Sequence, residues 1–257
     1  DRTVITRLHA PAPLLIRTPQ SATDFSLAVC ASLGGGLLAG DTIDLRCIAE
    51  AHTKSCITTQ SSTKIYRSIN GAQTSQSAVV HLHAHAMMLW IPDPITCFAG
   101  AHYTQRQQFH LHPTTSLLLL DSFTSGRWSR GERWDMQHFH SRTDIWVDQA
   151  QILRDAIRLD PADGPIASPS RMGKWNCFAT LLFVGPAFAP FARQILCDVN
   201  NEPLAPDAAL IFSAAPLGGG AILRLAADSA ERLTLEIRRR LHPLFESIGH
   251  DPWSRKF

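Results

Sequence analysis

Short runs in which polar and apolar residues alternate constrain this chain more than any other feature. Thr42-Ile43-Asp44-Leu45-Arg46-Cys47 is one such run, and Thr104 to His112 is another. A period of two puts successive side chains on opposite faces of an extended strand, so each run offers one face to a core and one to water. Ser55 to Thr59 and Lys64 to Arg67 are short and rich in β-formers. Val79 to Trp90 reads as one long strand or two short ones. Arg133 to His140 and Ile145 to Leu159 continue the pattern. Leu117-Leu118-Leu119-Leu120 does not alternate, which predicts a strand covered on both faces. Asn70-Gly71, Pro92-Asp93-Pro94, Ser125-Gly126 and Asp163-Gly164-Pro165 punctuate the runs with turn chemistry. Gly34-Gly35-Gly36 and Gly218-Gly219-Gly220 mark the tightest turns; neither has the spacing of a phosphate-binding loop.

The last third changes character. A strand is predicted at Phe178–Val184 and a helix from about Pro186 to Cys197. A stronger helix starts after Asp228 or Ser229, either of which can cap it, and carries Leu233, Leu235, Ile237, Leu241, Leu244, Phe245 and Ile248 at roughly helical spacing. Gly249 sits where a helix-terminating glycine belongs, and Pro243 is expected to bend or split the helix. Arg238, Arg239 and Arg240 read as a solvated face or an interface rim opposite those leucines. No linker or repeat divides residues 1–257, so one mostly-β domain with a helical C-terminal part is the expectation.

Composition excludes several functions. A net charge of +2 offers no electrostatic footprint for nucleic acid. Six scattered cysteines without a C-x-x-C pair form neither a zinc framework nor a disulfide scaffold, and suit a reducing compartment. No apolar run reaches about 18 residues, so no membrane span is expected.

Three of the twelve histidines, His81, His83 and His85, alternate in Val80-His81-Leu82-His83-Ala84-His85-Ala86. On one strand they would share a face, with Leu82, Ala84 and Ala86 turned inward. As a metal site they converge poorly: His81 and His85 would lie about 13 Å apart at about 3.3 Å per residue. A polar strand face of neutral imidazoles competes with a metal contact, and an independent metal-binding protein or metallohydrolase built on these histidines is the alternative function. No H-E-x-x-H and no G-x-S-x-G supports catalysis.

Five stretches are more specific than the histidines: Gly34-Gly35-Gly36-Leu37-Leu38-Ala39-Gly40-Asp41, Thr58 to Ser68, Ile91 to Phe98, Asp121-Ser122-Phe123-Thr124-Ser125-Gly126-Arg127 and Gly131-Glu132-Arg133-Trp134. In this order and spacing the chain resembles the urease accessory proteins of the UreD/UreH family, from about Arg2 to about Phe245. The resemblance implies a mainly β fold, an elongated helix-like stack of strands with about two α-helices in the C-terminal third. It implies a cytoplasmic, non-enzymatic scaffold for nickel insertion, with nickel as transient cargo and no permanently bound cofactor. Its partners would be the urease apoprotein and a UreF-type accessory protein, which docks a UreG-type GTPase.

The resemblance also implies an internal tunnel for nickel. A conduit for a borderline divalent cation needs groups that bind weakly and release. Asp41, Thr59, Ser62, Thr63, Asp121, Glu132 and Asp155 are the candidates, and each carboxylate has a structural alternative. Asp41 can cap its turn, Asp121 can bond the following loop, Glu132 can pair with Arg127 or Arg130, and Asp155 can pair with Arg154 or Arg158. Lys64, Tyr66, Arg67, Gly126 and Arg127 are the candidates for partner contact. Alternation places Lys64 and Tyr66 on one strand face, with Ile65 and Arg67 on the other.

Overall fold

The computed structural model describes residues 2–254. The chain lays down β1 (Leu14–Arg17), β2 (Ser26–Ser32), β3 (Thr42–Ala49), β4 (Lys54–Thr59), β5 (Thr63–Ile65), β6 (Thr74–Leu82), β7 (Met87–Ile91), β8 (Ile95–Cys97), β9 (His102–Leu111), β10 (Ser116–Thr124), β11 (His138–Val147), β12 (Ala150–Leu159) and β13 (Cys177–Val184). Then follow α1 (Ala189–Asn201), β14 (Leu210–Leu217), β15 (Gly220–Ala227) and α2 (Ala230–Ile248).

Two sheets face each other. The first runs β1-β2-β4-β7-β10-β13-β15-β14, with β5 and β8 beside it; the second runs β12-β11-β9-β6-β3. The pairs β2–β4, β4–β7 and β7–β10 are parallel, as are β3–β6, β6–β9 and β9–β11. The chain therefore winds between the sheets in a solenoid of about four coils. Each coil stacks strand on strand about 4.7–4.9 Å above the last. The antiparallel strands β12 and β13 end the winding, and α1 and α2 cover the far side of the first sheet.

Every coil has two corners. Residues 50–53, 83–86 and 112–115 return the chain from the second sheet to the first in tight turns. Residues 33–41, 66–73, 98–101 and 125–137 carry it back in loops of uneven length.

The strands follow the alternation of the sequence. In β3 the apolar side faces the gap between the sheets, while Thr42, Asp44, Arg46 and Ile48 are exposed. Leu117 to Leu120 are all buried because β10 has a sheet on one face and helices on the other. One open reading is settled and two predictions shift. Val79–Trp90 is two strands, since the chain reverses at His83–Ala86, where the Ala86 amide donates to the His83 carbonyl at 3.0 Å. Residues 133–137 are loop, and β11 begins only at His138. The strand expected at Lys64–Arg67 ends at Ile65, because the Tyr66 amide turns to the Leu37 carbonyl instead.

Helix α2 starts as read: the Ser229 side chain accepts from the Arg232 amide, and Gly249 ends it in the left-handed conformation. Pro243 neither splits nor ends it. Arg240 corrects the reading of the basic run. Its side chain is buried, pairs with Glu236 and Glu202, and lies 4.3 Å over the Phe212 ring. Arg239 pairs with the same two acids. Helix α1 begins at Ala189, three residues later than read, because Gly185 packs against the Thr115 backbone and the chain turns there first.

Candidate functional site

The space between the sheets is not uniformly apolar. Two clusters fill its ends, one around Phe109, Leu119 and Ile145, the other around Tyr103, Phe123 and Phe139. Between them, β9, β10 and β11 carry polar residues in the middle of their inward faces, whereas β3 stays apolar from Ile43 to Ala49. On β9 the inward order is Tyr103, Gln105, Gln107, Phe109; on β11 it is Phe139, Ser141, Thr143, Ile145. On β10, Leu119 is followed inward by Asp121 and then Phe123. Register locks the layer together, since Gln76, Gln105 and Ser141 are partners across β6, β9 and β11.

Asp121 is the focus of this layer. Its carboxylate accepts from Gln105 Nε2 at 3.3 Å and from Ser141 Oγ at 3.1 Å, bonds across the gap to the opposite sheet. The expected bond to the following loop is replaced by these. Burial pushes the carboxyl above its ordinary range, and the bonds from Ser141 and Gln105 offset only part of that. Gln107 Nε2 donates to Thr143 Oγ1 at 3.2 Å, which extends the polar layer toward β12.

Two connected cavities open onto the layer. A cavity of about 90 Å³ is lined by Asp121, Gln105, Gln107, Thr58 and Asp93 and, over more of its wall, by apolar side chains such as Ile43, Leu45, Ile57, Trp90 and Ile95. A cavity of about 220 Å³ is lined by Ser32, Gln60, Ser61, Ser62 and Gly35 nearer the surface. Cys30, Thr59, Thr63 and Gln76 line both. Polar groups thus follow one another from the loop at Gln60–Ser62 inward to Asp121 along a wall that becomes largely apolar at its inner end. At the junction Thr59 Oγ1 donates to Asp93 Oδ2 at 3.0 Å and accepts from the Asp93 amide at 2.8 Å.

The sequence candidates divide accordingly. Thr59, Ser62, Thr63 and Asp121 line the cavities. Asp41 does not: its Oδ2 caps its own turn, accepting from the Leu38 amide at 2.7 Å. Glu132 is held by Arg127 through two bonds and also accepts from the Ala99 amide. The Arg127 bond keeps the Glu132 carboxyl below its ordinary range. Asp155 pairs with Arg224 at 3.0 Å rather than with Arg154 or Arg158, because it points inward from the edge strand β12 toward the first sheet. Arg154 instead reaches Asp144. Sequence reasoning missed Gln76, Asp93, Gln105 and Gln107; for the three glutamines the available signal was an inward register position occupied by a long polar side chain, whereas Asp93 lies in the loop between β7 and β8 and offered none.

The partner candidates lie on the uneven corner. Arg67 is exposed and its stem lies against Gly100. Tyr66 meets the edge of Phe98 at 5.2 Å, and Arg127 lies 4.1 Å over the same ring. The Leu37 amide donates to the Lys64 carbonyl at 2.8 Å, the Phe98 amide to the Ile65 carbonyl at 2.9 Å, and the Trp134 amide to the Ser125 carbonyl at 2.7 Å. Together with the pairing of β8 to β10, these bonds join stretches of all five motifs into one wall. Gly126, at φ 126°, packs against the Cys97 carbonyl and Glu132, so its role is in the turn.

The histidine reading is corrected. His81 lies on β6, His83 just beyond it, and His85 in the turn at φ 61°. They do not share one strand face, and no group of three or more His, Cys, Asp or Glu among the described residues is arranged to hold a metal ion. No helix among the described residues is long and apolar enough to cross a membrane.

Comparison with known proteins agrees with the family resemblance carried by the five motifs. The family model described as UreD urease accessory protein matches residues 1–254. The chain is 38% identical to a urease accessory protein UreD of Sorangium cellulosum over all of this chain and 80% of that protein. It is 37% identical to one of Anaeromyxobacter over 96% of this chain and 82% of that protein. A rice urease accessory protein D is 28% identical over 98% of this chain and 91% of its own length. The chain belongs to the UreD family of urease accessory proteins.

Proposed function

We propose that this chain serves urease maturation without catalysing a reaction, as a scaffold with an internal passage for nickel. The observation that carries the reading is the polar layer between the sheets, entered near Ser62 and ending on Asp121. Its donors are hydroxyl, amide and carboxylate oxygens together with the Cys30 thiol, whose pKa burial raises to about 11, a set that holds a divalent cation more loosely than a closed set of imidazoles or thiolates would. A cation arriving at Asp121 would favour the ionised carboxylate that burial disfavours, so binding there is coupled to proton release. Nickel is cargo in this reading and no resident cofactor is required. The partners are the urease apoprotein and a UreF-type protein carrying a UreG-type GTPase, in the cytoplasm. The exposed Arg67 and Trp128 of the uneven corner are suited to partner contact, as aromatic and arginine side chains are enriched in interfaces.

Co-expression of the tagged chain with the urease subunits and the other accessory proteins of its source tests this. Bound urease, a bound UreF-type partner and activation dependent on nickel and GTP are expected together. Asp121→Asn should retain both partners and lower activation. Partner capture without any loss of activation in Asp121→Asn would remove Asp121 from the nickel route, and absence of both partners would remove the scaffold reading.

A further inference from the structure

The histidines fail as one strand face, but the solenoid pairs them differently. His52 and His85 occupy the same position of consecutive tight turns, at φ 62° and 61°, and their rings stack at 4.8 Å. His81 and His110 are register partners on β6 and β9, and their rings also stack at 4.8 Å. Trp146, the next partner across on β11, stacks on the other face of His110 at 4.9 Å. The ring spacing repeats the distance between neighbouring strands, so it is the winding that creates each pair. Residues that sequence separates by more than twenty positions become neighbours.

We infer that these two cross-coil imidazole pairs, His52 with His85 and His81 with His110, are surface sites for divalent transition cations that favour imidazole, such as Ni²⁺. Two nitrogens bound to one ion at about 2.0–2.1 Å lie about 3 Å apart. Stacked rings reach that separation by rotation about their outer torsion, which is broad for imidazole. No side-chain hydrogen bond among the described residues engages the ring nitrogens of these four residues. His52, His81 and His85 are exposed, and His110 is half-buried. Two protein ligands leave the remaining positions to water, so the ion exchanges readily. That agrees with the absence of any three-ligand group among the described residues. The inference does not rest on the internal passage, since the pairs lie on the outside of the solenoid.

Titration of the purified chain with Ni²⁺ alone tests it, read by equilibrium dialysis and by tryptophan fluorescence. One ion per pair is expected, released on desalting, with quenching that is lost in Trp146→Phe. The double variant His81→Gln with His110→Gln should lose that quenching and one ion. His52→Gln with His85→Gln should lose the other ion and keep the quenching. Each double variant is compared with the parent chain in an Asp121→Asn background as well, so that any ion held in the passage is counted apart from the pairs and the two readings can fail separately. Stoichiometry and quenching that survive both double variants would overturn the inference.

Discussion

The two corners of the solenoid are made on opposite plans. The corner at residues 50–53, 83–86 and 112–115 repeats one short turn, so the same backbone position recurs on each coil and even the left-handed residue recurs, as His52 and His85. The corner at residues 33–41, 66–73, 98–101 and 125–137 repeats nothing in length, and it is held by specific bonds between loops. A repeated turn needs little from any one residue. An irregular wall depends on each close approach, and its glycines and its Arg127–Glu132 pair are correspondingly constrained. The difference teaches that side-chain identity is most restricted where loop geometry is least regular.

The largest test of that contrast is Gly36→Val. The backbone at Gly36 is extended and would suit any residue, but a Cβ there would press on the Tyr66 ring and the Lys64 carbonyl. A loss of about 3 kcal/mol is expected in urea unfolding, as for other overpacked sites. A loss below about 0.5 kcal/mol, the range of ordinary surface changes, would show that the uneven wall yields.

Asp144 probes the tight end, where the β11–β12 hairpin closes. Its carboxylate lies on the outer face, covered by the side chains it binds: Arg142, Arg154 and Gln151. Burial would raise its pKa, but the bonds from Arg142 and Arg154 outweigh it and hold the carboxyl below its ordinary range. A depressed pKa contributes stability above the unfolded-state value, and that stability is lost as pH falls through the folded-state value. Asp144→Ala should cost about 2 kcal/mol at neutral pH, the magnitude of lost charge-assisted bonds to half-exposed arginines. The cost should shrink in acid. A pH-independent loss would assign it to packing.

Midway between the corners, Asp121 has the opposite sign. Its raised pKa means the folded state holds the proton more tightly, so stability falls as pH rises from the unfolded value of about 4 through the folded one. Asp121→Asn should therefore raise the melting temperature at pH 7 and lose that advantage below about pH 4. A melting temperature lowered at every pH would mean that the bonds to Gln105 and Ser141 outweigh the burial cost.

The smallest effect belongs to the repeated corner. His52→Gly relieves a left-handed backbone, a gain of less than about 1 kcal/mol, partly cancelled by loss of the stack on His85. Denaturant midpoints resolve it. A loss above about 1 kcal/mol would show that the imidazole stack, not the turn, holds that corner.

Much of the architecture was legible because alternation is local. β3, β4, β9 and β13 fall within two residues of their predicted runs, and the capping Ser229 and terminating Gly249 bound α2 as read. The hairpin strands β14 and β15 were not read from the sequence, although Gly218 and Gly219 signalled their turn. The site was legible only in part. Thr59, Ser62, Thr63 and Asp121 reach the cavities, but Asp41, Glu132 and Asp155 were drawn away by nearer partners. Nothing local distinguishes a carboxylate that faces a cavity from one that caps a turn.

By itself the sequence determined strands, their inward faces, the helix ends and, through five motifs, the family. Those properties follow from a period of two, from capping chemistry and from residue order, all of which act over a few positions. Tertiary structure alone decided what meets across the coils. Parallel winding placed Gln76, Gln105 and Ser141 side by side, set Asp121 against them and stacked His52 on His85. Contacts between residues tens of positions apart are fixed by register between strands, and register is a property of the closed sheet, not of any one run.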